Sequence, residues 1–429
     1  MSGHPSVRTR LAYGHGGLEV ELPADAEVLE PQRLDSVPDE AAAIRRALRD
    51  PIASPPLRDL IRRGAGVGIS VCDVTRPFPA RRVLPVLLEE IEDLRPRVTV
   101  FIATGTHRHC TAAELVQMLG DDVLLRTQVV QHDAFDRSRH AQLGLVPGST
   151  TPVLIERAFL EQDVRLTTGF IEPHFFAGFS GGPKMVAPGL AHLDTVLELH
   201  SAARIGHPRA VWGVTTGNPV HDAIRGLAGR VGVAFNLDVT LNQDHGITSV
   251  FAGDLEESHA TGCVFARKTA MVAVRQPFDV VVSTNSGYPL DQNLYQTVKG
   301  MSAAAQIVKP GGAIVMASEC SDGLPEHGRY KDLLHEAAGP AEFLRWLERP
   351  GPAQHDQWQV QVQAQIQNRA RVLLHAGGLT PRQIRAAWLE PVEDLSARVA
   401  EMLAAAGAGA RLAVLPQGPQ TIPYLTVAA

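Results

Sequence analysis

One pattern recurs along this chain and limits what it can fold into. A short β-branched or aliphatic run is followed by a polar or glycine-bearing turn and then by an amphipathic helical stretch. "VGISVCDVTRP" leads into "ARRVLPVLLEEIEDL", and "RVTVFIATGTHR" into "TAAELVQML". "DVRLTTGF", "FDVVVSTNSGYP", "GGAIVMASE", "RVLLHAGG" and "RLAVLPQG" repeat the strand half of the unit. Strands that are apolar throughout are buried on both faces, so they belong in parallel sheets covered by helices. The expected class is α/β, doubly wound, with two domains. Each is expected to be a mostly parallel sheet flanked by helices, with the active site in the cleft between them. "AGDLEESHATGCVFARKTAMVAVRQP" reads as a helix leading to Pro277 and a fresh strand. That places the boundary near 270, giving an N-terminal domain of 1–270 and a C-terminal domain of 271–429. The last segment is free to return to the first domain.

Composition excludes several classes. The 429 residues suffice for two or three sizeable cores, and 45% are hydrophobic against 20% charged. A net charge of -6 argues against binding a nucleic-acid duplex, which needs clustered Lys and Arg. No apolar run reaches the ~20 residues that span a bilayer. The N-terminal "MSGHPSVRTRLAYGHGG" has no apolar secretion segment, so a cytoplasmic protein is expected. Cys72, Cys110, Cys263 and Cys320 lie far apart with no CxxC pair. They read as reduced thiols and rule out a cysteine-only zinc site.

In open α/β sheets, ligands bind beyond the carboxyl ends of the strands. The first such end, "CDVTRP", carries Asp73, Thr75 and Arg76, with Pro77 suited to start the next helix. Asp73 and Thr75 can be simple caps there, or Arg76 can grip a carboxylate or phosphate bidentately. The second, "ATGTHRHC", offers His107 as a general base or as a loop histidine. The third, "GFIEPHFFAGFSGGPK", places Glu172 and His174 at a strand end, with Phe175 and Phe176 as candidate pocket walls. Its glycines allow close backbone approach. It is no Walker loop, because Pro183 precedes Lys184 and Met185 follows it. "LAHLDTVLELHSAARI" reads as one helix, with His200 on its apolar face as a core histidine or a metal ligand. In "STNSGYPLDQNLYQTVKG", a helix opened near Asn293 sets Tyr295, Gln296 and Lys299 on one face. "HDQW" ends in Trp358. "IVKPGGAIVMA" looks like a late methyltransferase motif, but lacks the preceding glycine-rich turn and is set aside.

Taken in order, "DVTRP", "ATGTHR", "GFIEPHFFAGFSGGPK", "STNSGYPLDQNLYQTVKGM" and "DQW" resemble the nickel-dependent lactate racemase family across nearly the whole chain. The resemblance implies a racemase or epimerase that inverts C2 of a 2-hydroxycarboxylic acid. Its cofactor would be a nickel-pincer nucleotide, a thio-derivatised pyridinium mononucleotide holding nickel through a carbon and two sulfurs, tethered in some members to a lysine matched by Lys184. The resemblance makes His200 the protein ligand to nickel, and His107 and His174 the two catalytic acid/bases. Arg76 and Lys299 would bind substrate, with Tyr295 and Gln296 close by. Asp73, Thr75, Gly178, Ser180, Gly181 and Gly182 would seat the nucleotide, with Trp358 near it. Cofactor-biosynthesis enzymes are the expected partners.

The chemistry explains these residue types. A C2–H is poorly acidic, so it leaves more easily as hydride while a base takes the hydroxyl proton. The two hands of the substrate present that hydroxyl to different sides, which calls for two bases. The chain departs from the family where members often read "GGRK" and this one has Pro183. "ECSDGLPEHG", residues 319–328, is also unusually polar, which suggests a larger or more polar 2-hydroxyacid than lactate. Two other readings compete: a pyridoxal-phosphate enzyme using Lys184, and a non-catalytic carrier of the nickel cofactor.

Overall fold

The computed structural model describes residues 6–326, 328–349, 351 and 353–426. It is built from two compact units, each organised around a six-stranded sheet. The first unit comprises Arg33–His200 and His207–Thr269. Its sheet runs in the order Ile247–Gly253, Phe235–Leu241, Val164–Phe170, Gly66–Cys72, Arg97–Ala103 and Gln128–Gln131. All neighbours pair in parallel except the antiparallel edge strand Ile247–Gly253.

The apolar runs read from sequence become the buried centre of this sheet. Every residue of Gly66–Cys72 is buried, and Val67, Ile69 and Val71 are wholly so. The helix Ala80–Ile91 covers them with Val83, Leu84, Leu87 and Ile91. This helix begins three residues beyond Pro77, with Pro79 at its cap position, so Pro77 belongs to the preceding loop.

From Gly66–Cys72 the chain builds outward to Arg97–Ala103 and Gln128–Gln131, then returns to the other side with Val164–Phe170. The winding direction therefore reverses between two adjacent parallel strands. Diverging connections leave a crevice at such a switch point, beyond the carboxyl ends of the strands. Asp73, His107 and His174 all follow strands that meet there.

The second unit comprises the described residues up to Gln32, Ser201–Gly206 and the chain from Ala270 onward. Its sheet has the order Glu390–Pro391, Arg371–His375, Val308–Ala317, Phe278–Thr284, Leu412–Leu415 and Glu27–Val28, parallel throughout. This corrects a division made by one cut at 270. The hairpin Ser6–Leu11 with Leu18–Pro23 sends Leu11, Val20 and Leu22 into a core with Val280, Val282 and Val414. Its alternating apolar face needs a sheet to cover, and it covers this one. The last segment does not return to the first unit, because Ile422–Leu425 pairs with Met271–Val274.

The expected single helix around His200 is also broken. Leu193–Leu199 ends at His200, where the chain leaves helical geometry, and Ala202–Ile205 forms a separate turn of helix in the other unit. Among the described residues, no helix is long and apolar enough to cross a membrane.

Within the second unit, the helix Leu294–Ala305 is capped by the Asn293 side chain, which accepts from the Gln296 amide at 3.1 Å. It packs so closely on the strand end that a Cβ at Gly300 would sit 2.1 Å from the Thr284 carbonyl oxygen. Neither backbone can yield without moving the helix. Gly300→Ala is expected to cost about 1–3 kcal/mol by overpacking. Chemical denaturation should show a lowered midpoint for this variant, and an unchanged midpoint would refute the close contact.

Candidate active site

The strand end after Gly66–Cys72 and the one after Arg97–Ala103 meet through a carboxylate–imidazole hydrogen bond. Asp73 is 3% exposed, and its Oδ2 lies 2.7 Å from His107 Nδ1. A carboxylate only accepts, so Nδ1–H donates and the lone pair of His107 is placed on Nε2. Thr75 donates its hydroxyl to the other Asp73 oxygen at 2.6 Å. Burial alone would push the Asp73 carboxyl up. The hydrogen bond from His107, helped by the Arg76 charge and the Thr75 hydroxyl, instead holds it below the ordinary carboxylate value. His107 itself is exposed, as is Arg76. An oriented imidazole with a solvent-facing ring nitrogen suits general acid/base work.

The resemblance placed Asp73 and Thr75 at the nucleotide phosphate. In the structure Asp73 holds His107 and Thr75 holds Asp73. Because the folded-state pKa of Asp73 is lowered, its contribution to stability is complete above the ordinary carboxylate pKa of about 3.9. That contribution fades as pH falls through the lower folded value. The stability gap between the wild type and Asp73→Asn should therefore be widest above pH ~4 and narrow below it. Urea midpoints across that range measure this, and a gap independent of pH would contradict the ionised pair.

The second cluster gathers on Phe176. The His174 ring lies 4.6 Å from the Phe176 ring, the His200 ring 5.2 Å, and the Lys184 Nζ 5.9 Å from its centroid. His174 belongs to a two-residue strand paired with Gly178–Phe179, and its Nδ1 accepts the Ala177 amide at 3.3 Å. His200 is buried and its Nδ1 is 2.7 Å from the Val196 carbonyl. A carbonyl cannot donate, so Nδ1 carries the proton and Nε2 the lone pair. A histidine pinned this way by a carbonyl is the usual form of a metal ligand.

The glycines of this stretch answer to the protein itself. A Cβ at Gly178 would meet the Val214 carbonyl oxygen at 2.3 Å, and one at Gly182 would meet the His259 ring at 2.5 Å. Both have positive φ, as does Gly181, whose Cβ would lie 2.9 Å from the Phe170 carbonyl oxygen. Ser180 ties the turn by donating to the Phe170 carbonyl and accepting from the Glu172 amide, each at 2.9 Å. The Gly182 amide donates to Asp238 at 2.9 Å. These four residues shape the turn through contacts with the protein itself. Pro183 is buried at the start of the short helical turn Gly182–Met185 that presents Lys184.

Sequence reasoning did not single out Asp238. It is wholly buried beneath this turn, and burial pushes its carboxyl up to about 7 despite hydrogen bonds from Asn236 and Gly182. The visible signal was an acidic residue alternating with the apolar positions of a strand, Phe235–Leu241.

In the second unit, Tyr295, Gln296 and Lys299 share the half-buried face of Leu294–Ala305, while Leu294, Val298 and Met301 are buried. The Tyr295 ring packs 5.4 Å from that of Tyr330, and its carbonyl accepts from Gln359. Trp358 is buried in the first turn of Gln357–Arg369, with the His355 ring 5.6 Å away. In the polar segment 319–328, the Glu319 and Cys320 amides donate to Asp291, and Glu326 pairs with Lys331. His327 lies outside the described residues.

Residues 13–213 match a family model described as the lactate racemase N-terminal domain, and 273–422 one described as the lactate racemase C-terminal domain. The chain is 35% identical to the lactate racemase of Thermoanaerobacterium thermosaccharolyticum over 389 residues, 89% of this chain and 90% of that one. It is also 35% identical to the lactate racemase of Lactiplantibacillus plantarum over 383 residues, covering 88% and 90%. The structure superposes on the lactate racemase apoprotein of T. thermosaccharolyticum with a TM-score of 0.90 and 33% identity, over 97% of this chain and 100% of that one. A protein from Thermotoga maritima, 18% identical with a TM-score of 0.68 over 92% of this chain and 100% of that one, shares the fold. The chain therefore belongs to the lactate racemase family and is an isomerase.

Proposed function

We propose that this isomerase inverts C2 of a small 2-hydroxycarboxylate by reversible hydride transfer, with His107 and His174 as the two acid/base groups. The observation that carries the reading is the gathering of His174, His200 and Lys184 around Phe176, at the sheet edge that also bears Asp73 and His107. Lactate is the substrate named for the relatives and the first to test.

The donor chemistry fits a nickel-pincer nucleotide. His200 offers a buried imidazole nitrogen whose tautomer a carbonyl fixes, and imidazole suits nickel. Lys184 offers an amine beside the same aromatic ring, suited to a covalent tether. When bound, such a cofactor supplies the hydride acceptor.

The rest is done by side chains. His107 Nε2 takes the hydroxyl proton, and Asp73 stabilises the imidazolium that results. His174 serves the opposite hand of the substrate. Arg76 grips the carboxylate in a fork, holding C2 in place while the face changes. Lys299, Gln296 and Tyr295 are assigned to substrate, and Trp358 to the cofactor, on the resemblance alone. The carrier reading gives the Asp73–His107 pair no task, and the pyridoxal-phosphate reading gives His200 none.

His107→Ala and His174→Ala, prepared with the cofactor, should each lower kcat by about 10²–10⁴-fold while nickel content stays at the wild-type level. His200→Ala should lose nickel. Racemisation assays on each enantiomer of lactate, with metal analysis of the same samples, decide this. Full activity in both histidine variants would overturn the two-base reading.

A further inference from the structure

A second constellation of ligating groups lies in the first unit, and the reaction makes no use of it. His132 follows the edge strand Gln128–Gln131. His140 and Glu156 face each other across the hairpin His140–Leu145 with Pro152–Glu156. All three side chains are buried: 0% exposed for His132, 4% for His140 and 2% for Glu156. One ligand atom from each lies within 4.8 Å of the others.

Hydrogen bonding dictates which atoms face inward. His132 Nε2 is 3.1 Å from the Ala191 carbonyl, and His140 Nδ1 is 2.8 Å from the Asp136 carbonyl. Carbonyls only accept, so both nitrogens carry protons. In the neutral rings the lone pairs then sit on His132 Nδ1 and His140 Nε2. His132 Nδ1 points at Glu156 Oε2, 3.2 Å away, an acceptor facing an acceptor. His140 Nε2 is buried without any hydrogen-bond partner.

Protonating His132 would satisfy its contact with Glu156 but leave His140 Nε2 orphaned. A cation bound by all three satisfies every one of these atoms. We propose that His132 Nδ1, His140 Nε2 and Glu156 form a structural site for a borderline-soft divalent cation of the zinc class. Ligand atoms about such an ion stand roughly 3–4 Å apart, so the site closes with an inward shift of under about 1 Å.

Each histidine already has the carbonyl partner that metal-bound imidazoles use. Arg139, 28% exposed, approaches the same Glu156 oxygen at 3.1 Å. Two imidazole nitrogens against a single carboxylate suit imidazole-binding metals rather than hard cations, which need several oxygen ligands. The ion would brace the loop that carries His107, since His132 O accepts from Thr104 at 2.8 Å and from His109 at 3.1 Å. It would also secure Ala191, just before the helix that ends at His200.

The test uses the full chain produced without the nickel cofactor and dialysed against zinc chloride. Metal analysis and thermal midpoints with and without chelator are then compared for the wild type, His200→Ala and His140→Gln. The site predicts about one tightly held zinc in the wild type and in His200→Ala, none in His140→Gln, and a midpoint lowered by chelator only where zinc is held. Zinc lost in His200→Ala, zinc retained in His140→Gln, or no zinc in the wild type would each overturn it; the last outcome would mean that His132 and Glu156 are a plain ion pair. Should His140→Gln fail to fold, cobalt(II) replaces zinc in His200→Ala. A tetrahedral cobalt spectrum supports the site and its absence refutes it.

Discussion

The turn at 178–182 has no room for side chains at its three glycines, and the placement of the candidate site depends on that. Gly178 passes against the Val214 carbonyl, Gly181 against that of Phe170, and Gly182 against the His259 ring. The Gly182 amide is held by the buried Asp238. With the backbone so confined, His174 is fixed before the turn and Lys184 after it, both beside Phe176. A bulkier residue at any of the three glycines would have to displace backbone or a buried ring, and would carry an imidazole or an amine with it.

Two charged groups are handled in opposite ways around this edge. Asp73 is kept ionised by His107, Arg76 and Thr75 despite its burial. Asp238 has only amide donors, and burial raises it to about 7. The difference is the presence of a cation, Arg76, and it separates a carboxyl group that orients an imidazole from one that holds a turn.

The sheets were legible because a strand buried on both faces must be apolar along its whole length, as in "VGISV" and "FDVVVS". The side on which the N-terminal hairpin packs was not legible. "LEVELP" announces one apolar face but not which sheet it covers, and that face went to the second unit. The candidate site was readable as residue types after strands. Its pairings were not, since Asp73 and His107 are 34 positions apart and meet only through adjacent parallel strands. Glycines at 178, 181 and 182 were legible as close backbone approach, but not that the Val214 carbonyl, the Phe170 carbonyl and the His259 ring are what they approach. His132, His140 and Glu156 carry no recognisable ligand spacing, because the sheet edge and a hairpin bring them together.

The central claim is that the hydrogen at C2 moves as a hydride while histidines handle the hydroxyl proton. Racemisation of lactate deuterated at C2, by the nickel-loaded protein in ordinary water, tests it most directly. The account predicts that the deuterium is retained in both enantiomers at equilibrium, because the hydride never mixes with solvent. Washout of deuterium at the rate of racemisation would contradict the account and point to proton abstraction instead.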